Sequence, residues 1–186
     1  MTKTMNLIEM LLADHEEAKA LMAKVEKSQG DARQEAFRSL VYELARHETA
    51  EEEVVYPALR RLDGGDAIAD ARIKEEEKAN KVLAELEKLD MSSSEWSTKF
   101  SAFHRDVLSH AEAEESQVFP RLREAEDGDK LEKMGKILEM AKATAPTHPH
   151  PNVPGTATAN LMAGPLAAVI DHTRDAIRDA REKLAG

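Results

Sequence analysis

The chain contains no cysteine, which excludes a disulfide framework, a thiolate metal site and a cysteine nucleophile. Aromatic residues make up only 4% of its 186 positions, and glycine is scarce. Strand formers are therefore few, while Ala, Leu, Glu and Lys dominate, and this composition predicts an all-α protein. Basic residues are outnumbered, 26 against 36 acidic ones, leaving a formal charge of −10. Nucleic acid and anionic membrane surfaces are poor partners for such a chain; a small ligand or a cation suits it better. Long apolar runs are missing too. The N-terminal stretch "NLIEMLLA" is short, is interrupted by Glu9 and leads straight into "DHEE", so it reads as neither a signal peptide nor a membrane span. The lack of cysteine fits a cytoplasmic protein.

What is present is helical periodicity. Apolar residues recur at helix spacing from about Met5 to Ser28, Asp31 to Leu62, Asp66 to Leu89 and Ser94 to Glu124. "QGD", "DGGD" and "DMSSSE" separate these segments, the last supplying serine caps. Four helices with short connections predict an up-down-up-down bundle over residues 1–125. Residues 126–186 form an extension: a helix to about Ala143, a proline-rich wrap over 145–165, and a last helix from Pro165 to about Leu184, packed on the bundle.

The most informative feature is a repeat. "HETAEEEVVYP", from His47 to Pro57, returns 63 positions later as "HAEAEESQVFP", from His110 to Pro120. The same offset of 63 pairs Phe37 with Phe100, Leu40 with Phe103, Leu44 with Val107 and Glu51 with Glu114. The preceding helices match at an offset of 61, which pairs Ala18 with Ala79, Met22 with Leu83 and His15 with Glu76. The bundle is therefore two similar helix pairs. Each pair brings one polar residue from its first helix, and a histidine and a glutamate from its second.

Position on the helix gives these residues their meaning. His47 follows Leu44 by three and Leu40 by seven, and His110 follows Val107 and Phe103 at the same intervals, so both imidazoles lie on the core-facing stripe. Glu51 and Glu114 sit one turn further along it, and His15 follows Leu11 by four. A lone core histidine is ordinarily a hydrogen-bonded structural residue, and in glutamate runs such as "EEE" only one member is expected to face inward. Three imidazoles and several carboxylates on converging apolar stripes are different, because each unpaired buried charge costs several kcal/mol. They require one another or a cation. Imidazole nitrogen with carboxylate oxygen suits iron, manganese or zinc, and two symmetric half-sites with carboxylates able to bridge point to two ions.

At this point the chain resembles the hemerythrin-like proteins, or HHE cation-binding domains, through the paired motifs "HETAE" and "HAEAE" and the histidine on the first helix. The proline-rich stretch and last helix resemble tails of actinobacterial members. The resemblance implies a non-haem diiron centre, two iron ions with an oxo or hydroxo bridge, ligated by His15, His47, Glu51, His110 and Glu114. Glu115 stands as an alternative to Glu114. On the third helix the family usually carries histidine, whereas "KEEEKANK" has none; Glu76 takes the matching place, with Glu75 a competitor and Asn80 where a second histidine would be. A carboxylate in place of an imidazole adds negative charge and favours ferric iron, which disfavours reversible oxygen carriage and favours peroxide chemistry. Some actinobacterial members decompose hydrogen peroxide, so the resemblance implies a catalase-like activity in oxidative-stress defence. The competing reading is a non-enzymatic protein that binds or senses oxygen, nitric oxide or iron. A ferritin-like iron oxidase is disfavoured because that family places glutamate before histidine.

Tyr56, the repeat partner of Phe119, is either a core aromatic or a phenol beside the metals acting as proton donor or ligand. His104 lies off the ligand stripe, while His148 and His150 read as loop residues and His172 has no partner in the repeat.

Overall fold

The computed structural model describes residues 5–145, together with 177, 179, 180 and 182–184. Four long helices form the bundle: α1 (Leu7–Lys27), α2 (Gly30–Ala50), α4 (Gly65–Leu86) and α5 (Ser94–Gln117). Short helices α3 (Tyr56–Leu59) and α6 (Phe119–Ala125) extend α2 and α5, and α7 (Gly128–Thr144) follows. The described residues contain no strand.

Each boundary has a local cause. Asn6 and Glu9 form a reciprocal capping box at the start of α1, and Lys24 and Lys27 occupy its last turn, where cations complement the helix dipole. The expected serine cap is Ser93, whose side chain accepts from the Trp96 N–H at 3.1 Å. Asp127 caps α7 in the same way, accepting from the Lys130 N–H at 2.8 Å. In "DGGD", Gly64 takes a left-handed φ of 68°, and a Cβ on Gly65 would collide with the Leu59 carbonyl, so α3 turns into α4 only with glycine at both positions.

The second and fourth helices are not continuous, as the periodicity had suggested. After α2 the chain widens into a π-helical turn over Glu51–Val55 before α3, and α5 breaks at Val118 before α6. Proline explains both interruptions. Pro57 and Pro120 lack the N–H that would bond the preceding turn, and their rings clash with its carbonyl. The first copy accommodates this with an i→i+5 bond from the Tyr56 N–H to the Glu51 carbonyl. This wide turn begins at Glu51, the candidate bridging carboxylate.

The pairs α1/α2 and α4/α5 pack as antiparallel neighbours, and α7 lies against α1 and α2. Two apolar clusters fill the interior. One gathers Phe37, Leu40, Leu83, Trp96, Phe100 and Phe103. The other gathers Leu7, Leu11, Val55, Tyr56, Phe119 and Leu138 of α7. Burying each such side chain contributes about 1.5–3 kcal/mol. Ile177 belongs to the second cluster and is 1% exposed. The proline-rich wrap and the start of the last helix lie outside the described residues, as do His148, His150 and His172.

Candidate metal centre

Between the two apolar clusters lies a polar layer built from every long helix of the bundle. His15 comes from α1, His47 from α2, Glu51 from the π turn, Glu76 from α4, and His110 and Glu114 from α5. All but His110 are buried, and Glu51 and Glu114 are completely so. Glu51 and Glu76 are the inward members of their acidic runs, as the stripe analysis expects.

Their donor atoms converge. His47 Nε2 lies 3.2 Å from Glu51 Oε2, and His15 Nε2 lies 3.3 Å from Glu114 Oε2. His110 Nε2 is 3.4 Å from Glu114 Oε2 and 3.8 Å from Glu76 Oε1. Two sets result: His15, His47, Glu51 and Glu114 form one, and Glu51, Glu76, His110 and Glu114 the other, with ligand atoms within 4.8 Å of one another in each. Glu51 and Glu114 belong to both sets, so the symmetry of the repeat reappears as two half-sites sharing two carboxylates.

An outer ring of carboxylates, which sequence reasoning missed, fixes the imidazoles. His15 Nδ1 is 2.9 Å from Glu115 Oε1, His110 Nδ1 is 2.9 Å from Glu75 Oε2, and His47 Nδ1 is 3.5 Å from Asp14 Oδ2. A carboxylate only accepts, so each contact places the hydrogen on Nδ1 and leaves Nε2 facing the centre. A cation backs each carboxylate: Arg72 Nη2 donates to Glu75 at 2.7 Å, Lys142 Nζ donates to Asp14 at 2.6 Å, and Lys19 lies 3.7 Å from Glu115. The alternatives left open by the sequence thus separate by position. Glu76 and Glu114 face the centre, while Glu75 and Glu115 stand behind the histidines.

Tyr56 is buried among the carboxylates. Its hydroxyl is hydrogen-bonded to Glu76 Oε1 and lies 2.9 Å from Glu114 Oε1. Its single hydrogen is shared between these two acceptors. Burial, together with the charge of Glu48, pushes Glu76 well above the usual carboxylate range, against the hydrogen bond from Tyr56. Burial would also raise Glu114, but the His15 hydrogen bond and the charges of His110, His47 and His15 outweigh it and hold Glu114 at about 2. Glu51 is pushed well up by burial and by the charges of Glu114 and Glu76. Burial lowers His47, against the hydrogen bond to Asp14. Burial acts the same way on His15, but bonding to Glu114 and Glu115 wins and raises it.

Other polar residues lie around this layer. Asn80 does not reach either ligand set; its amide donates to Glu48 Oε2 at 2.8 Å. His104 is paired with Glu26 at 2.8 Å, away from the centre. A cavity of about 220 Å³ opens above the layer, with His15, His47, Glu76 and His110 on its wall and Tyr56 outside it. Among the described residues no helix is long and apolar enough to cross a membrane.

Comparison with known proteins agrees with this construction. The model of the hemerythrin HHE cation binding domain matches residues 6–148. The chain is 29% identical over 137 residues to an uncharacterized hemerythrin-like protein of Schizosaccharomyces pombe, a match spanning 73% of this chain and 68% of that protein. It is 26% identical over 141 residues to a DNA nickase of Nostoc sp., where the match spans 75% of this chain but only 40% of the other. The crystal structure of a hemerythrin HHE cation binding domain-containing protein from Mycobacterium kansasii superposes with a TM-score of 0.68 at 22% identity, covering 90% of this chain and 98% of that one. This last likeness shows the shared helical bundle.

Proposed function

The chain belongs to the hemerythrin HHE cation binding family, and from that premise we propose that it holds two iron ions between its paired helices and decomposes hydrogen peroxide in a catalase-like reaction. The observation that carries this reading is the identity of the buried atoms left without a hydrogen-bond partner. They include His15 Nε2, His110 Nε2, both oxygens of Glu51, Glu76 Oε2 and Glu114 Oε2. Such orphaned groups cost about 1–3 kcal/mol each, more when charged, and here they are the atoms a metal pair would take. The donor set of three imidazoles and three carboxylates fits two iron ions: His15 and His47 would hold one and Glu76 and His110 the other, with Glu51 and Glu114 within reach of both.

Bound iron supplies two-electron exchange, by which one peroxide is oxidised to dioxygen and a second is reduced to water. The protein's residues set the conditions for it. Glu75, Glu115 and Asp14 hold the Nδ1 hydrogens of the three histidines and aim each Nε2 inward. Tyr56 occupies Oε1 of both Glu76 and Glu114, leaving Oε2 of each for the centre. Glu76 in place of an imidazole adds a negative charge, which favours the ferric state over reversible oxygen carriage. The Tyr56 hydroxyl holds a proton beside the centre, between Glu76 and Glu114, sheltered from water by Val55, Phe119 and their neighbours. The absence of cysteine supports a cytoplasmic setting.

The test is oxygen evolution. Iron-loaded protein is expected to release one dioxygen for every two peroxides consumed. If it evolves none and instead binds oxygen or nitric oxide reversibly, a carrier or sensor replaces the enzyme.

A further inference from the structure

The cavity above the polar layer is larger than hydrogen peroxide needs. A cavity of about 150 Å³ suffices for benzene, and this one is about 220 Å³. Its walls include Ala18, Met22, Leu44, Ala79, Val82 and Phe103, with the imidazoles of His15, His47 and His110 and the charged Lys19, Glu48, Glu75, Glu76, Lys78 and Asp106 also on the lining.

The repeat explains the space. Ala18 lies three residues after His15, and Ala79 lies three after Glu76, so the two are partners under the offset of 61. Each stands about one turn beyond a residue of the polar layer, and each is only partly buried. A larger side chain at either place would project into the space that these residues line. Hydrogen peroxide and dioxygen have two heavy atoms each and leave most of a space of this size unfilled. A molecule with a compact apolar body and one polar end would fill the walls with the first and meet the histidines with the second.

We infer that the cavity admits a small organic hydroperoxide, with its hydrocarbon group against Ala18, Ala79, Val82 and Phe103 and its O–O group toward His15, His47 and His110. The inference rests on the peroxide reading above and extends its substrate class. The reaction is a cross-disproportionation: ROOH + H2O2 gives ROH + H2O + O2. The organic O–O bond breaks, one oxygen staying in the alcohol and the other leaving as water. Hydrogen peroxide is the reductant; it gives up two electrons and both protons and departs as dioxygen.

Two measurements test this. Benzyl alcohol, which carries no O–O bond, is titrated into the full-length protein and followed by NMR of methyl groups; saturable shifts at Met22, Leu44 and Val82 are expected, and their absence overturns the inference. Iron-loaded protein is then given tert-butyl hydroperoxide with hydrogen peroxide, and tert-butanol and oxygen are measured together. For the same amount of hydrogen peroxide consumed, one dioxygen beyond what hydrogen peroxide yields alone is expected for every two tert-butanol formed. In Ala79→Phe the ratio of tert-butanol formation to oxygen evolution from hydrogen peroxide alone should fall at least tenfold. Ala18→Leu fills the same space from the facing helix and gives the same comparison if the first variant does not fold. Oxygen evolution without tert-butanol, or an unchanged ratio in a folded variant, overturns the organic substrate and leaves the peroxide reading standing. No oxygen from hydrogen peroxide alone overturns that reading, and the cross-reaction falls with it.

Discussion

Lys142 on α7 donates to Asp14 Oδ1 on α1 at 2.6 Å, and the other oxygen of Asp14 faces His47 Nδ1 at 3.5 Å. Residues 128 positions apart in sequence thereby converge behind one imidazole of the candidate centre. Asp14 is held below the usual carboxylate range because the hydrogen bonds and charges of His47 and Lys142 outweigh its burial.

A first prediction follows from that contact. Lys142→Met leaves Asp14 with only His47 and removes a largely buried charge pair, at a cost of about 1–3 kcal/mol in thermal unfolding. Iron retained after dialysis against chelator should fall roughly tenfold, as for other outer partners of metal ligands. Lys142→Arg should recover most of both. Equal iron retention in Lys142→Met and the unaltered protein would detach α7 from the centre.

Metal content provides a second. Elemental analysis of protein from iron-supplemented cells should give two irons per chain, with near-ultraviolet absorption from a coupled ferric pair. A colourless protein holding one zinc contradicts the two shared carboxylates.

A third concerns Glu51, whose oxygens are buried and accept no hydrogen bond from the protein. Glu51→Ala should remove most of the iron, because both half-sites use this residue. The metal-free protein should melt higher, since a buried orphan carboxyl is gone. Glu114→Ala should also remove the iron but lower the melting temperature of the metal-free form, because Glu114 is bonded to Tyr56 and close to His15 and His110. Full iron occupancy in both variants would move the shared role to Glu52 or Glu115.

Acidity gives a fourth. Burial raises Glu48 to about 8 and Glu52 to about 7, from the ordinary 4.5 of a glutamate. Folded pKa values above the unfolded ones mean that the folded state holds protons the unfolded chain has released. Their stabilisation is complete below pH 4.5 and is lost as pH rises through about 7 to 8. The metal-free protein should therefore melt progressively lower from pH 5 to pH 8.5. Bound iron, which supplies positive charge nearby, should flatten that slope, and parallel slopes for both forms would contradict a metal at this layer.

Fifth, Tyr56→Phe keeps the ring in the core but leaves Glu76 Oε1 and Glu114 Oε1 without the phenol. Peroxide turnover should fall about 10- to 100-fold with the fold intact by circular dichroism. Glu76→His, by contrast, should lower peroxide turnover while making reversible oxygen binding detectable by optical spectroscopy. Unchanged turnover in both would place the chemistry outside this layer.

The sequence by itself determined the paired helices and the kinds of residue between them. Helical spacing puts His47 with Glu51, and His110 with Glu114, on stripes that continue Leu44 and Val107, and an apolar stripe has to be buried. It left Glu75 against Glu76 and Glu114 against Glu115 open, because one residue turns the side chain by only about 100° and both members of each pair border the stripe. Tertiary structure separated them through the neighbours each meets: Tyr56 and the shared layer for Glu76 and Glu114, a histidine and a cation for Glu75 and Glu115. The π turn at Glu51 also depended on the fold, since Pro57 and Pro120 disturb equivalent helices yet only the first copy widens. Partners such as Asp14 with Lys142 carry no local signal, because their contact depends on where α7 docks. The cavity has the same origin: alanine at 18 and 79 becomes a space only once the helices that carry them face each other.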